Sequence, residues 1–130
     1  SLAHLIGLLQ NTDTRLLVVG GSSSLFIDDN GTRMIDESPA DAPYYPTAYH
    51  MYKAFEGLKN SSHLRWTYLS PAAYFNPNGP RRGEYRFTGE QLGFNSAGQS
   101  EISMADFAVA MLDIAQKDLY ENQHVGVVGI

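Results

Sequence analysis

The fold is decided at residues 64–75, which read LRWTYLSPAAYF. Residues 66–69 are aromatic, β-branched and apolar, the types that fill a pleated, half-buried surface. Pro71 cannot donate a ladder hydrogen bond, and it biases the residue before it toward extended geometry. The stretch therefore predicts a strand over residues 64–69 that ends abruptly before the proline.

Small residues and aromatics follow that strand as Ala72, Ala73, Tyr74 and Phe75. In an open α/β sheet, ligands lie in the crevice beyond the carboxyl ends of the strands. A small-residue turn with an aromatic wall at this place suits a flat ligand that approaches the backbone. An ordinary strand exit, with the aromatics packed under the next segment, explains the same residues.

Helices and strands alternate along the rest of the chain. Hydrophobic periodicity predicts helices over residues 2–10, 47–59 and about 103–116, strands over 15–19, 64–69 and 124–128, and a small hairpin from 84–87 and 92–94. Alternation of this kind implies βαβ units, and hence a single α/β domain with a parallel sheet and flanking helices.

Two local patterns refine this expectation. The run Leu16–Val19 is continuously apolar, which is typical of a strand buried on both faces of a parallel sheet with neighbours on either side. Ser103, followed three residues later by Asp106, resembles a capping box with Asp in place of Glu or Gln. We therefore expect the last helix to begin at Ser103.

Composition excludes several classes of function. The formal net charge of −5 argues against a nucleic-acid partner, because phosphate binding needs a basic face. The absence of cysteine removes disulfides and thiol chemistry, and the four histidines have no metal-ligand spacing, so we expect no metal site. No transmembrane run or signal peptide is recognisable, which favours a cytoplasmic protein without a membrane partner.

Two sets of residues are candidates for chemistry. Gly20, Gly21, Ser22 and Ser23 follow the first strand, where glycine lets a ligand approach the backbone and serine can donate or accept hydrogen bonds. This turn is not GxGxxG, and no helix is predicted directly after it, so a phosphate-cradling loop is poorly supported. A flexible strand exit explains the same residues.

The second set is Tyr49-x-x-x-Lys53, whose side chains share one face of a predicted helix. An ammonium beside a phenol lowers the pKa of the phenol, so the pair can act as base and orienter on an alcohol hydroxyl. Ser23 could complete a Ser/Tyr/Lys catalytic set. Because the motif is short and the chain has 8 tyrosines, a mixed surface and core role is the simpler interpretation.

A longer match points to a family. Residues 66–115, WTYLSPAAYFNPNGPRRGEYRFTGEQLGFNSAGQSEISMADFAVAMLDIA, resemble the NADH-flavin reductase group, which belongs to the NAD(P)H-binding, NmrA-like branch of the atypical short-chain dehydrogenases. Residues 16–27, LLVVGGSSSLFI, resemble the central strand of that group and the turn after it. The resemblance implies an NAD(P)-binding Rossmann fold and a reductase that transfers hydride from NAD(P)H to FMN, FAD or a similar acceptor.

The same resemblance assigns roles to residues. Residues 20–23 would border the nicotinamide ribose, and Ser23 matches the serine that related flavin and biliverdin reductases place near the nicotinamide. Pro71, Ala72, Ala73 and Tyr74 would line the nicotinamide ring through backbone contacts. Biliverdin reductases of the B type carry a histidine where this chain has Ala73, so that part of their site is absent.

Two other functions stay open. The segment DESPADAPYYPTAYHMYK, residues 36–53, looks like the approach to YxxxK in extended short-chain dehydrogenases, which implies a sugar-nucleotide epimerase or dehydratase that uses Ser23, Tyr49 and Lys53. NmrA-like proteins also include non-catalytic NAD(P) sensors that dock a partner. Oligomeric state is not indicated by any pattern.

The sequence departs from the family pattern at its start. Such proteins begin with a unit made of a strand, a GxxGxxG turn and a helix. This sequence does not contain that unit. We therefore interpret residues 1–130 as the C-terminal part of a Rossmann-like domain, without the roughly 70–90 residues of the first mononucleotide-binding half.

This interpretation predicts that the 130-residue chain alone binds NAD(P)H weakly, because the helix N-terminus that holds the pyrophosphate belongs to the other half. Isothermal titration calorimetry measures this affinity, with a complete short-chain dehydrogenase as the positive control. A dissociation constant of about 1 µM or tighter would contradict the interpretation.

Overall fold

The computed structural model describes residues 1–130. The helices and strands are α1 (Leu2–Leu9), β1 (Arg15–Val19), α2 (Tyr45–Lys59), β2 (Arg65–Ser70), β3 (Tyr74–Asn76), β4 (Tyr85–Phe87), β5 (Glu101–Ser103), α3 (Met104–Lys117) and β6 (Gln123–Gly129). One-turn 3₁₀ helices at Ser22–Ser24 and Met34–Glu37 lie between β1 and α2. None of the helices has the length and apolar character needed to cross a membrane.

Four strands form the main sheet in the order β1-β2-β6-β4. Strands β1, β2 and β6 are parallel, with Leu17 opposite Thr67 and Leu69 opposite Val125. Parallel neighbours need crossover connections, and α2 and α3 lie in those connections. The expected α/β class, with a parallel sheet and flanking helices, is confirmed.

Strand β1 lies at an edge of this sheet. Its hydrogen-bonded neighbour is β2, and its other side carries no strand. The burial of its residues is intermediate, and Val19 is 55% exposed. Within residues 1–130, Leu16–Val19 therefore has a strand neighbour on one side only, and not on both sides as expected.

The predicted hairpin is also wrong. Only residues 85–87 form a strand, β4, and it pairs antiparallel with β6, so that Phe87 lies opposite Val127. Residues 92–94 form no strand, and the Leu92 N–H donates to the Phe26 carbonyl at 2.8 Å. The alternation within residues 84–94 is local, whereas the partner of β4 lies near the far end of the chain.

A second, two-stranded sheet was not predicted. It joins β3 to β5 in parallel, with Phe75 opposite Ile102. Each strand has three residues, which is too short for a period-2 pattern to be read from sequence. The pair fixes the segment after β2 to the start of α3.

The core lies on both faces of β2. On one face, Trp66 and Tyr68 pack with Phe55 and Leu58 of α2. On the other face, Leu69 belongs to a second cluster. The buried members of that cluster are Leu69, Ala72, Ile102, Phe107, Ala110, Ile114, Val125, Val127 and Val128.

The start of α3 confirms half of the predicted capping box. The Ser103 hydroxyl accepts the Asp106 N–H at 3.0 Å. The Asp106 carboxylate does not return to the cap, because its Oδ1 accepts the N–H groups of Arg82 and Gly83 at 2.8 Å each. Asp106 therefore anchors the loop before β4 rather than closing a reciprocal cap.

The packing of α3 generates a test of the core. Ile114 is fully buried, whereas Leu112 on the same helix is 58% exposed. We expect Ile114→Ala to lower the free energy of unfolding by about 2–5 kcal/mol, because it leaves a cavity. The matched variant Leu112→Ala should change it by about 0.5 kcal/mol or less. Urea denaturation measures both, and equal losses would contradict this arrangement.

Candidate functional site

A turn of small residues, 20–24, begins where β1 ends; we call it the serine turn. The Gly20 N–H donates to the Leu69 carbonyl at 2.8 Å, which continues the pairing of β1 with β2. A Cβ atom at Gly20 would lie 2.1 Å from Tyr68 Cε1. Glycine is therefore required here by the close approach of the backbone to the tyrosine ring.

Tyr68 connects this turn to α2. Its hydroxyl accepts the Gly21 N–H at 3.2 Å and donates to the Met51 carbonyl at 3.3 Å. Burial raises the pKa of the Tyr68 phenol, so the proton needed for the second bond stays in place at neutral pH. The strand that organises the core thus also fixes the backbone of the turn.

Three cavities of about 650, 380 and 200 Å³ open on the surface. The largest, called the cleft below, lies at the carboxyl ends of β1 and β2, the place where open α/β sheets bind ligands. None of its lining residues is charged. These residues are Gly21, Ser22, Ser23, Met34, Ser38, Tyr44, Thr47, Ala48, Met51 and Ala73.

The cleft includes some of the predicted cofactor-binding residues and excludes others. Gly21, Ser22, Ser23 and Ala73 line it. The remaining four do not: Gly20, Pro71 and Ala72 are buried behind it, and Tyr74 is 54% exposed on β3. The Ser23 hydroxyl donates to the Ala48 carbonyl at 3.3 Å, which ties the serine turn to α2.

Ser100 engages the backbone that was expected to contact the nicotinamide. Its hydroxyl accepts the Ala73 N–H at 3.0 Å, and its carbonyl accepts the Tyr74 N–H at 2.9 Å. Phe75 packs on Phe107 with ring centroids 4.9 Å apart, so it belongs to the core. The aromatic side chain that lines the cleft is Tyr44, which precedes α2.

Tyr49 and Lys53 lie one turn apart on α2, as predicted. The Lys53 Nζ atom lies 5.9 Å from the centroid of the Tyr49 ring. It bonds Glu56 Oε1 at 3.1 Å, and this hydrogen bond raises the pKa of Lys53. Neither Tyr49 nor Lys53 lines the cleft, and the hydroxyl of Ser23 bonds Ala48 instead of either residue.

A buried polar network lies beneath the serine turn and was missed by the sequence analysis. His124 Nε2 lies 3.0 Å from both Ser24 Oγ and Ser70 Oγ, and the two hydroxyl oxygens are 3.4 Å apart. His124 Nδ1 lies 3.2 Å from Glu90 Oε1. The one sequence signal is a histidine at the start of the apolar strand β6.

These contacts define the protonation of the histidine. An ionised carboxylate can only accept, so Nδ1 carries the proton that bonds Glu90, and the neutral ring leaves Nε2 as an acceptor for serine hydroxyls. Burial lowers the pKa of His124 to about 4, although the hydrogen bond with Glu90 acts in the opposite direction. The imidazole is therefore neutral at physiological pH.

Serine, histidine and glutamate in contact are also the components of a nucleophilic triad. Here the two hydroxyls are fully buried, and the carboxylate is the exposed member of the set. A substrate cannot reach either hydroxyl in this arrangement. The network is therefore structural rather than hydrolytic.

Known proteins share this fold. The chain is 40% identical over 126 residues to protein YwnB of Bacillus subtilis (strain 168), named as uncharacterized, and the match covers 95% of this chain and 59% of YwnB. A crystal structure from Streptococcus pneumoniae, named as a "putative NADH-flavin reductase", matches with a TM-score of 0.91 and 34% identity over 99% of this chain and 62% of that one. No family model matches the chain.

A more distant structure shares the fold and was solved with a cofactor. It is a short-chain dehydrogenase/reductase from Veillonella parvula in complex with NADP, with a TM-score of 0.62 and 19% identity over 98% of this chain and 56% of that one.

The chain is similar in sequence and fold to the Streptococcus pneumoniae structure, and it shares the fold of the short-chain dehydrogenase/reductase solved with NADP. This confirms the resemblance recognised in the sequence and the Rossmann-like fold that it implies. The chain spans about three fifths of the length of the relatives it matches. Within the family fold, the serine turn follows β1 and the Ser70–Ala73 segment follows β2, so the cleft lies where two parallel strands end side by side.

The buried histidine makes stability depend on pH. Its pKa is about 4 in the folded chain against 6.5 for the free side chain, so the unfolded chain binds the proton more readily between these values. Stability from neutral His124 is complete above about pH 6.5 and is lost as the pH falls toward 4, a change of about 3 kcal/mol.

Urea unfolding at several pH values between 4.5 and 7.5 measures this dependence. In the unmodified chain, the free energy of unfolding should rise with pH, in part because of His124. The variant His124→Gln should lose that part of the pH dependence, whereas His50→Gln, which replaces an exposed histidine, should keep it. Identical slopes in His124→Gln and the unmodified chain would contradict the assignment.

Proposed function

We propose that this chain supplies the nicotinamide-facing and acceptor-facing wall of an NAD(P)H-dependent reductase, with FMN, FAD or a similar flavin as the hydride acceptor. The observation that carries the proposal is the uncharged cleft at the carboxyl ends of β1 and β2. A nicotinamide ring with its carboxamide is flat and small, and it needs close backbone approach and hydrogen bonds more than charge. The name of the Streptococcus pneumoniae relative supports the same function.

Ser23 suits the carboxamide of the nicotinamide. Its hydroxyl proton is used by the Ala48 carbonyl, so the lone pairs of its oxygen remain to accept an N–H from a ligand. Ser22 lies beside it in the cleft lining. The pair therefore provides hydrogen bonding without charge next to a backbone that glycine keeps accessible.

Other residues of the cleft lining suit a flat acceptor. Met34 and Met51 are flexible, polarizable side chains that adapt to ring systems, and Tyr44 offers an aromatic face. When bound, the nicotinamide supplies the hydride, and the protein supplies orientation and exclusion of water. This chemistry needs no side-chain base, which is consistent with Ala73 at the position of a histidine in related reductases.

The domain assignment is part of the same proposal. Residues 1–130 would form the C-terminal portion of one Rossmann-like domain. The unpaired edge of β1, the absence of GxxGxxG and the greater length of the relatives support this assignment.

Two alternatives have specific support. The adjacency of Tyr49 and Lys53 on α2 favours an epimerase or dehydratase of the extended short-chain dehydrogenase type. Two observations weigh against it: Lys53 forms an ion pair with Glu56, and neither Tyr49 nor Lys53 lines the cleft. A non-catalytic, NmrA-like NAD(P) sensor would use the same cleft without turnover.

Oxidation of NADH and NADPH, followed by absorbance with FMN as acceptor, tests the proposal on the complete gene product that contains this chain. We expect Ser23→Ala to lower kcat/KM by roughly 2- to 10-fold, the equivalent of one neutral hydrogen bond. Tyr49→Phe should leave the rate within about twofold, because hydride transfer to flavin needs no phenol. The exposed Ser96→Ala serves as the matched control.

Each alternative gives a different result. Loss of activity on a sugar nucleotide in Tyr49→Phe, together with absent flavin reduction, would favour the epimerase. Tight dinucleotide binding without NADPH oxidation would favour the sensor. Either result would overturn the reductase.

A further inference from the structure

Ser24 links the cleft wall to the buried network. It is the last residue of the one-turn helix whose first two residues, Ser22 and Ser23, line the cleft. Its hydroxyl lies 3.0 Å from His124 Nε2, and its carbonyl accepts the Arg33 guanidinium at 2.5 Å. These contacts therefore hold the last residue of this turn from beneath the surface that a ligand would contact, in addition to the contacts of Gly21 with Tyr68 and of Ser23 with Ala48.

The network joins segments that are distant in sequence. Ser70 ends β2, His124 lies in β6, and Glu90 lies in the loop after β4. The imidazole packs against Phe55 and Tyr68, with ring centroids 4.5 and 5.5 Å away. Because both ring nitrogens have partners and two aromatic rings pack against it, the histidine has one well-defined orientation.

We propose that neutral His124 is a positioning residue for the Ser22–Ser23 wall of the cleft, acting through the Ser24 hydroxyl, and that Glu90 fixes the tautomer required for this. The consequence for nicotinamide binding rests on the proposed function. The positioning itself is a property of this chain and is measurable without a cofactor.

The tautomer of His124 explains how protonation of the ring would affect the serine turn. While Nδ1–H donates to Glu90, Nε2 accepts from the serine hydroxyls. Protonation of the ring converts Nε2 into a donor, so both hydroxyls lose their acceptor and must turn. Ser24 is the one of the two that continues directly into the cleft wall.

The charged groups around the ring have opposite effects on the pKa of His124. Glu90 favours the protonated imidazole, whereas Arg33 and Lys59 disfavour it, and the phenol of Tyr68 is neutral. Glu90, Lys59 and His124 also line the cavity of about 380 Å³, which is distinct from the cleft. The proton that titrates His124 can therefore arrive from solvent without passing through the cleft.

Nuclear magnetic resonance on the labelled 130-residue chain tests the proposal. The His124 ring carbon signal and the amide signals of Ser22–Ser24 are followed from pH 7.5 downward. We expect one midpoint shared by the His124 ring and the three amides, well below the usual value of 6.5 for a histidine side chain. Lys59→Met should raise this midpoint for the ring and the amides together, and Glu90→Gln should lower it for both.

Two further variants separate positioning from a general effect of acid. Ser24→Ala should remove the step from the Ser22 and Ser23 amides while His124 still titrates. Glu84→Gln, which removes an exposed carboxylate elsewhere, should shift neither midpoint. At pH 7, where no unfolding intervenes, Glu90→Leu, which removes the acceptor of the His124 Nδ1–H, should displace the Ser22–Ser24 amide signals, and Glu84→Leu should not.

Amide signals that fail to follow His124 in Lys59→Met, or that are unchanged by Glu90→Leu at pH 7, would overturn the proposal. If one variant does not fold, the remaining variants are compared with the unmodified chain at pH 7. Since no dinucleotide is used, these results are independent of NADPH oxidation. If flavin reduction is not observed, the shared midpoint is still expected. If the amides and the ring do not share a midpoint, the reductase proposal still stands.

Discussion

The structure depends on β2 being buried on both faces. Its side chains alternate, so that Trp66 and Tyr68 pack against α2 while Leu69 packs toward α3. A shift of pairing by one residue would exchange the two faces and expose an entire row of large side chains. This double burial fixes the register with β1 and β6, and both helical layers are positioned by it.

The same strand connects packing to the site. The ring of Tyr68 fills the space that a side chain at residue 20 would occupy, and its hydroxyl bonds both Gly21 and Met51. The backbone at the mouth of the cleft is therefore held by a core residue rather than by surface contacts. A site built this way keeps its shape before any ligand arrives, which reduces the ordering cost of binding.

The sequence predicted those features that depend on local pattern. The apolar run of β1, the amphipathic face of α3 and the Ser103 cap follow from residues close in the chain. Of the eight residues that the family resemblance assigned to cofactor binding, four line the cleft, and cofactor binding by them stays a prediction. The edge position of β1 and the pairing of β4 with β6 depend on distant partners. Two sets of contacts likewise exist only after folding. One joins Ser100 to Ala73, and the other joins Ser24, Ser70, Glu90 and His124. No sequence motif indicates either set, because the residues are far apart in the chain.

Electrostatics explain why the site suits a neutral ring. Burial raises the pKa of Tyr68 and lowers that of His124, so both groups beneath the serine turn are uncharged at neutral pH. The charged side chains nearby do not line the cleft: Lys53 pairs with Glu56, the Arg33 guanidinium donates to the Ser24 carbonyl, and Glu90 lines the separate cavity of about 380 Å³. Phosphates would find no counter-charge in the cleft lining, whereas a flat uncharged ring loses little hydration on entering it. Binding there must come from packing and hydrogen bonds, and both require that the serine turn be held in one conformation.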